Sequence, residues 1–398
     1  MIILVLNSGS SSVKYRLYNV DGEQCLAWGI VERIGASGAV LKHNRHDGKG
    51  VKLGGDILDH SRAIEFILAI LLSPNHGVIK DRSEIDAVGH RVVHGGERFT
   101  GSVLINEEVM TQLYDCIELA PLHNPHNIKG INACRKLLED VPQVAVFDTA
   151  FHTKMPDYAY LYGLPFTIYK RYAVRRYGFH GTSHRYVADR AARMIGKPLE
   201  ELNLVTCHLG NGCSAAAVSR GISVDTTMGF TPTEGLLMGT RCGDVDPAAL
   251  LYVMGREEID IGAANSMINK HSGLLGISGV SNDMREIEEE TAKGNERAEL
   301  ALNVFCYRMK KYIGAYAAAM GGVDGVVFTG GIGENSSEVR KRTLDELGFL
   351  GIELDQELNT SESSEERFID KGGPVRVMVI PTNEELVIAR DTLELVIK

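Results

Sequence analysis

Short apolar runs that break into loops of glycine and serine set the tightest limit on how this chain can fold. Residues 2–6 run into "NSGSSS", and the alternating Val13-Lys14-Tyr15-Arg16-Leu17 follows. In the second half, residues 204–207 run into "HLGNGCS" and then into the apolar residues 215–218. Short apolar runs bounded by such loops read as buried strands, and strict alternation reads as a half-buried one. Laid over one another, Gly9 and Ser11 match Gly212 and Ser214. One strand–loop–strand unit in each half of a 398-residue chain predicts a duplicated α/β fold in two domains.

The remaining pattern fits that frame. Asp21-Gly22 is a hairpin turn, and residues 25–34 form a third antiparallel strand. Ser61 is placed to cap a helix with Ile64, Ile67, Leu68, Leu71 and Leu72 on one face. Residues 85–89 run into "HRVVHGGER", and residues 144–147 into "DTAFH". Val304, Phe305, Met309, Ile313, Tyr316 and Met320 stripe a long helix that Gly321-Gly322 stops. Residues 325–329 form a strand leading into "GGIGENSSE", and Thr382-Asn383-Glu384-Glu385 reads as a capping box opening a last helix over 385–396.

Composition removes several classes of function. A formal net charge of -10 argues against nucleic acid as the main partner. No run approaches the roughly 18 apolar residues that span a bilayer, and the first apolar run is too short for a signal peptide. Seven scattered cysteines without a CxxC predict reduced thiols and a cytoplasmic location, not a disulfide frame or a zinc site.

None of the three glycine-rich loops is a Walker A or a GxGxxG motif. Each alone is more often a turn than a phosphate site, but three together suit a nucleotide, two on the phosphates and one under the nucleoside. "VLNSGSSSVK", "GHRVVHGGERF", "PLHNPHN", "FDTAFH", "YGFHGTSHRYV", "HLGNGCS", "MGFTPTEGLLMGTRCGDVDP", "SGVSNDMR", "FTGGIGENS" and "IPTNEELVIARD" resemble the blocks of the acetate kinase family, in the family's order. The resemblance covers residues 7–391. That family lies within the wider group of acetate and sugar kinases, actin and heat-shock chaperones.

The resemblance implies two actin-like (ribonuclease H-like) α/β domains, each a mixed five-stranded sheet flanked by helices, with the nucleotide in the interdomain cleft. The N-terminal domain would comprise residues 1–150 plus 385–398, and the C-terminal domain residues 151–384. It further implies a homodimer joined through the second domain, with the long helix around Met309 and its Ala317-Ala318-Ala319 face contributing. By the same resemblance Arg91 holds the acyl carboxylate, Arg241 and His180 hold the transferring phosphoryl group, and His123 supports them. Asn7 and Glu384 place Mg²⁺, for which Mn²⁺ can stand in, with Asp148 nearby. Val93, Leu122, Phe179 and Pro232 form the pocket for the acetate methyl. Ser10, Ser12, Lys14, His208, Asn211, Gly212, Asp283, Arg285, Gly331, Ile332 and Asn335 form the ATP/ADP site, while Met284 is given no role.

The residue types suit this chemistry. Phosphoryl transfer needs positioning and charge neutralisation, and a carboxylate acceptor, already ionised, needs no general base. Planar guanidinium groups grip two oxygens at once. The implied reaction is reversible transfer from ATP to acetate, giving acetyl phosphate. Propionate or butyrate as acceptor is the nearest alternative. A sugar kinase with Asp148 as base and a chaperone-like or actin-like module stand further off. Each residue also has a plain structural reading: arginines form surface contacts or ion pairs, His180, at HxxxH spacing with His184 but without the Glu of HExxH, is a structural hydrogen-bonder rather than a zinc ligand, and Glu384 is an acid favoured in a first helical turn.

Overall fold

The computed structural model describes residues 1–398, which divide into two compact units, Met1–Ala150 with Asn383–Lys398, and Phe151–Thr382. In the first unit the strands are β1 (Ile2–Ser8), β2 (Ser12–Asn19), β3 (Gln24–Glu32), β4 (Ala39–Arg45), β5 (Gly50–Gly55), β6 (Ala87–Val92), β7 (Val103–Leu104) and β8 (Gln143–Phe147). They form one sheet in the order β5-β4-β3-β2-β1-β6-β8-β7. The second unit has β9 (Asn203–Leu209), β10 (Cys213–Ser219), β11 (Ile222–Thr226), β12 (Gly325–Thr329), β13 (Arg367–Phe368) and β14 (Arg376–Val379), in the order β11-β10-β9-β12-β14-β13.

The duplication is explicit in the pairing. In each sheet three strands form an antiparallel meander, and the first of them also pairs in parallel with a later strand that pairs in parallel with a fifth. That five-stranded core is as expected, but both sheets are wider. The hairpin β4–β5 and the short β7 extend the first sheet, and β13 extends the second. The hairpin escapes sequence reading because "HNRHDGKGVKLGG" carries glycines and charges where an edge strand needs only backbone pairing.

The loop alignment also shifts. β1 and β9 end at Ser8 and Leu209, so Gly9 corresponds to Gly210, and each donates its N–H to a carbonyl of its own loop, at Ser12 (2.8 Å) and Gly212 (3.1 Å). Ser11 lies in the loop, whereas Ser214 lies inside β10.

Helices close the faces of each sheet. His60–Leu71 buries Ala63, Ile64, Ile67 and Leu68 with Leu4, Leu6 and Leu17 in one core. Its cap is Asp59, which accepts from Arg62 N–H at 2.9 Å, rather than Ser61. In the second unit Val187, Ala188 and Ala191 of Gly181–Ile195 pack with Leu204, Ala216 and Val327. The long helix Glu296–Met320 packs on β9 and β10 and ends at Gly321 in the left-handed region (φ 71°).

The last helix, Glu384–Val396, lies on β1, β6 and β8. Gly89 lets it come close, since a Cβ there would meet Thr392 Oγ1 at 2.5 Å and Ile388 Cγ2 at 2.6 Å. Asn383, not Thr382, caps this helix, accepting from Leu386 N–H at 3.2 Å. Thr382 is instead bonded to Ser183 Oγ (2.9 Å) in the second unit.

Candidate active site

In the first unit the end of β6, the end of β8 and the start of the last helix bring three charged groups together. Arg91 Nε and Nη2 donate to both oxygens of Asp148, at 2.9 and 2.5 Å. Glu384 Oε2 lies 4.0 Å from Arg91 Nε. Asp148 is 2% exposed and Arg91 21%, so the pair is held in a largely dry place. Burial works against the Arg91 charge, but Asp148 and Glu384 more than offset it and raise its pKa. Burial pushes Glu384 up to about 7, Arg91 pulls it down, and the charge of Asp148 adds to the rise.

Two carboxylates against one guanidinium leave surplus negative charge in a desolvated place, which a cation would relieve. Their hard oxygen donors suit Mg²⁺ or Mn²⁺, and few are required, because such an ion keeps waters and takes phosphate oxygens. No group of three or more His, Cys, Asp or Glu side chains is arranged so that it could hold a metal ion by itself. The field of Lys14 also reaches Glu384, and Lys14 stands opposite Asn7 in the β1–β2 register.

One helix, Asn124–Leu137, fixes the loops around this group. Asn127 donates to the Ser8 carbonyl (2.8 Å) and accepts from Val93 N–H (3.1 Å). Asn124 accepts from His94 N–H (3.2 Å) and donates to the His94 carbonyl (2.9 Å). His60 Nε2 donates to the Gly9 carbonyl (2.6 Å). The first loop, the residues after Arg91 and the His123 segment are thus tied together. Sequence reading missed Asn124 and Asn127, although both stand in "PLHNPHN". Ser10 is exposed at the tip of the first loop, and Leu122, beside His123, is 64% exposed while Val93 is half-buried.

In the second unit Arg241, His180 and Gly212 converge. A Cβ built on Gly212 would lie 3.3 Å from Arg241 Nη1 and 3.7 Å from His180 Nε2, so glycine keeps open the space these two groups share. Arg241 donates to the Pro232 carbonyl (3.2 Å) and leans on Met238 Sδ (3.7 Å), with no carboxylate partner. Burial lowers its pKa, opposed only weakly by Cys213. A half-buried guanidinium without a counter-charge is a site for an anion.

His180 precedes the helix Gly181–Ile195 in the left-handed region (φ 56°) and stacks on His208 at 4.2 Å between centroids. Its Nδ1 meets Ser214 Oγ at 2.9 Å. Ser214 Oγ also meets Nε2 of the fully buried His184 (2.7 Å), whose Nδ1 meets Thr206 Oγ1 (2.7 Å). Both ring nitrogens of His184 are therefore engaged by hydroxyls. Phe179 is buried, and its carbonyl accepts from His152 Nε2 (3.0 Å).

A cavity of about 660 Å³ in the same unit gathers Asn211, Asp283, Arg285, Gly331, Ile332 and Asn335, six of the residues expected at the nucleotide. It is also lined by Gly210, Asn282, Met284, Glu288 and Ser336, so Met284 does face this space. Asn282 Nδ2 donates to Asn211 Oδ1 (3.1 Å), and Asn335 Nδ2 to the Gly331 carbonyl (2.8 Å). Arg285 pairs with Asp283 at 2.6 Å and is 84% exposed. Gly212 and His208 are not among the lining residues and belong to the Arg241 group.

With an arginine left without a counter-charge beside a histidine, and a cavity behind a glycine loop in the same unit, the second unit is built to receive a phosphorylated ligand, as a phosphotransferase requires. The acetokinase family matches residues 2–390, and the chain belongs to that family. It is similar to an acetate kinase of Halothermothrix orenii, 56% identical over 396 residues, a coverage of 100% of each chain. The crystal structure of Porphyromonas gingivalis acetate kinase superposes with a TM-score of 0.96 at 50% identity, covering 99% of each chain. A propionate kinase from Francisella tularensis superposes with a TM-score of 0.92 at 41% identity, again over 99% of each.

Proposed function

We infer that this chain transfers the γ-phosphoryl group of ATP reversibly to acetate, giving acetyl phosphate and ADP. The observation that carries this reading is Arg241, a half-buried cation with no carboxylate partner that shares open space at Gly212 with His180. Full-length identity of 56% to a protein named acetate kinase supports the choice of acid. In this reading Arg241 and His180 hold the transferring phosphoryl oxygens and stabilise the charge that spreads over them, with His123 in support. Arg91 binds the acetate carboxylate, which is already ionised. Asp148 is a poor candidate for a base that deprotonates a sugar hydroxyl, since Arg91 occupies both of its oxygens.

The nucleoside belongs to the cavity lined by Asn211, Asp283, Arg285, Gly331, Ile332 and Asn335, and Ser10, Ser12, Lys14, His208 and Gly212 serve the phosphates. A divalent ion, when bound, would neutralise charge on the phosphate oxygens, and Glu384 and Asn7 are the residues that would hold it, with the charge of Asp148 nearby. Acetate with ATP and Mg²⁺, trapped with hydroxylamine, should give a hydroxamate. Turnover with glucose or glycerol but none with acetate would overturn the assignment.

The metal reading has its own test. Asp148→Asn and Glu384→Ala should each raise the Mg²⁺ concentration needed for half-maximal rate. Were Glu384 only an acid in a first helical turn, its loss would cost about 0.3–1 kcal/mol of stability and leave the Mg²⁺ titration unchanged.

Acid size should depend on Val93, with Leu122, Phe179 and Pro232 as the other apolar walls. A methylene in such a pocket is worth about 1–3 kcal/mol, so discrimination against propionate is partial. Val93→Ala should raise kcat/KM for propionate relative to acetate. A wild type that prefers propionate would change the acid and leave the mechanism standing. An unchanged preference in the variant would remove Val93 from the pocket.

The protein is further proposed to be a cytoplasmic homodimer joined through the second unit. All seven cysteines are free thiols, and no helix is long and apolar enough to cross a membrane. Leu251, Tyr252, Ile261 and Tyr307 are each at least 60% exposed in the second unit, apolar side chains of the kind a second copy would cover. Ala317 is buried inside that unit, which leaves Ala318 and Ala319 as the exposed part of the expected helix face. Light scattering after size exclusion should give twice the mass of the chain.

A further inference from the structure

We propose that Thr206, His184 and Ser214 form a hydrogen-bond relay that fixes the tautomer and ring orientation of His180, so that its Nε2–H faces the phosphoryl group. The consequence for catalysis rests on the role given to His180 above; the relay itself stands on geometry. Ser214 Oγ touches both rings, His180 Nδ1 at 2.9 Å and His184 Nε2 at 2.7 Å, and Thr206 Oγ1 closes the far end on His184 Nδ1 at 2.7 Å. Thr206, His184 and Ser214 are each fully buried, so no water competes for these bonds.

Proton counting leaves few arrangements. Burial holds His184 neutral, with His152 and His208 pressing the same way, so it has one N–H and one lone pair. Ser214 has a single proton for two nitrogens. If both rings donated to Ser214, its own O–H would lack a partner in a dry place, which costs about 1–3 kcal/mol.

Two directions remain. In one, Thr206 donates to His184 Nδ1, His184 Nε2–H donates to Ser214, and Ser214 donates to His180 Nδ1. A neutral His180 then carries its proton on Nε2, the atom 3.7 Å from the open position at Gly212. In the reverse direction a neutral His180 turns a lone pair toward a polyanion, which repels it. The first direction therefore matches the substrate, and the relay sets it before the substrate arrives.

Ser214 and Thr206 are thus positioning residues; Ser214 closes the "HLGNGCS" block and Thr206 sits inside β9, and nothing in their spacing shows this role. His184 belongs to the "GFHGTSH" block, but only its link through Ser214 gives it this role.

Nitrogen NMR of the ligand-free protein with ¹⁵N-labelled histidine tests the relay apart from catalysis. With both rings neutral, His180 and His184 should each show a protonated Nε2 and an unprotonated Nδ1. A protonated Nδ1 on either neutral ring overturns the proposal, whatever the enzyme phosphorylates. In steady-state assays Ser214→Ala should lower kcat at least about 10-fold, the lower range for losing an orienting partner, with KM for ATP and acetate nearly unchanged. Ser223→Ala removes a comparable buried hydroxyl, bonded to His152 at 2.7 Å, and should leave kcat unchanged. Equal kcat losses in the two variants would reduce Ser214 to a structural residue. Normal spectra with no activity toward acetate would instead leave the relay standing and remove the proposed function.

Discussion

Arg241→Ala should lower kcat by roughly 10³ or more, the range for arginines that meet a transferring phosphoryl group. The size follows from its surroundings. Arg241 has no carboxylate to neutralise it, donating only to the Pro232 carbonyl and leaning on a thioether. Its charge is therefore fully available to an incoming anion, and its removal breaks no ion pair of the fold. Stability should change by less than about 1 kcal/mol, as for other positions outside the packed core. Arg241→Lys should recover little, because an ammonium cannot offer the planar pair of donors. Turnover near that of the wild type, with a normal melting curve, would make Arg241 structural and remove the central support for the assignment.

Arg91→Ala has a different signature, losing both activity and stability. Its guanidinium covers both oxygens of Asp148, which is 2% exposed, and lies 4.0 Å from Glu384. Breaking a buried pair costs about 3–5 kcal/mol because the remaining charge is stranded, and the lower end applies since Arg91 keeps partial access to water. The apparent KM for acetate should rise as kcat falls, since ground-state binding is lost as well. Arg91→Ala combined with Asp148→Ala should recover much of the stability and none of the activity. Denaturant titrations beside steady-state kinetics separate the two losses. If the double variant is no more stable than Arg91→Ala alone, the pair does not carry the stability assigned to it.

What was legible in the sequence follows from how strongly each residue type is constrained. Buried strands announce themselves as apolar runs, and β1, β6, β8, β9, β10 and β12 were all visible in this way. The long helix was visible from its stripe, since Phe305, Met309, Ile313 and Tyr316 are the side chains it buries. The edge hairpin β4–β5 was not legible, because pairing at an edge asks little of its side chains.

Caps failed for a related reason. Asp59 and Ser61, or Thr382 and Asn383, are all competent by residue type, and only backbone geometry chooses between them. Six nucleotide-site residues that the family resemblance implied line one cavity, whereas the supports of the site were missed. Asn124, Asn127 and Ser214 act through backbone carbonyls and a second ring, contacts that no spacing in the sequence encodes.

The last helix, seated on β6 through Gly89, has a consequence for how the protein is made. Residues 1–150 leave the ribosome long before the strand-covering segment that completes their sheet exists, and the whole second unit is synthesised in between. Until residues 383–398 emerge, the face of β1, β6 and β8 that this helix covers stays open, with Ile388 and Thr392 absent from their places against Gly89. The second unit, continuous in sequence, can close first. The N-terminal half of the chain is therefore the last to be finished, and loss of the final helix by premature termination would strike the residues translated first.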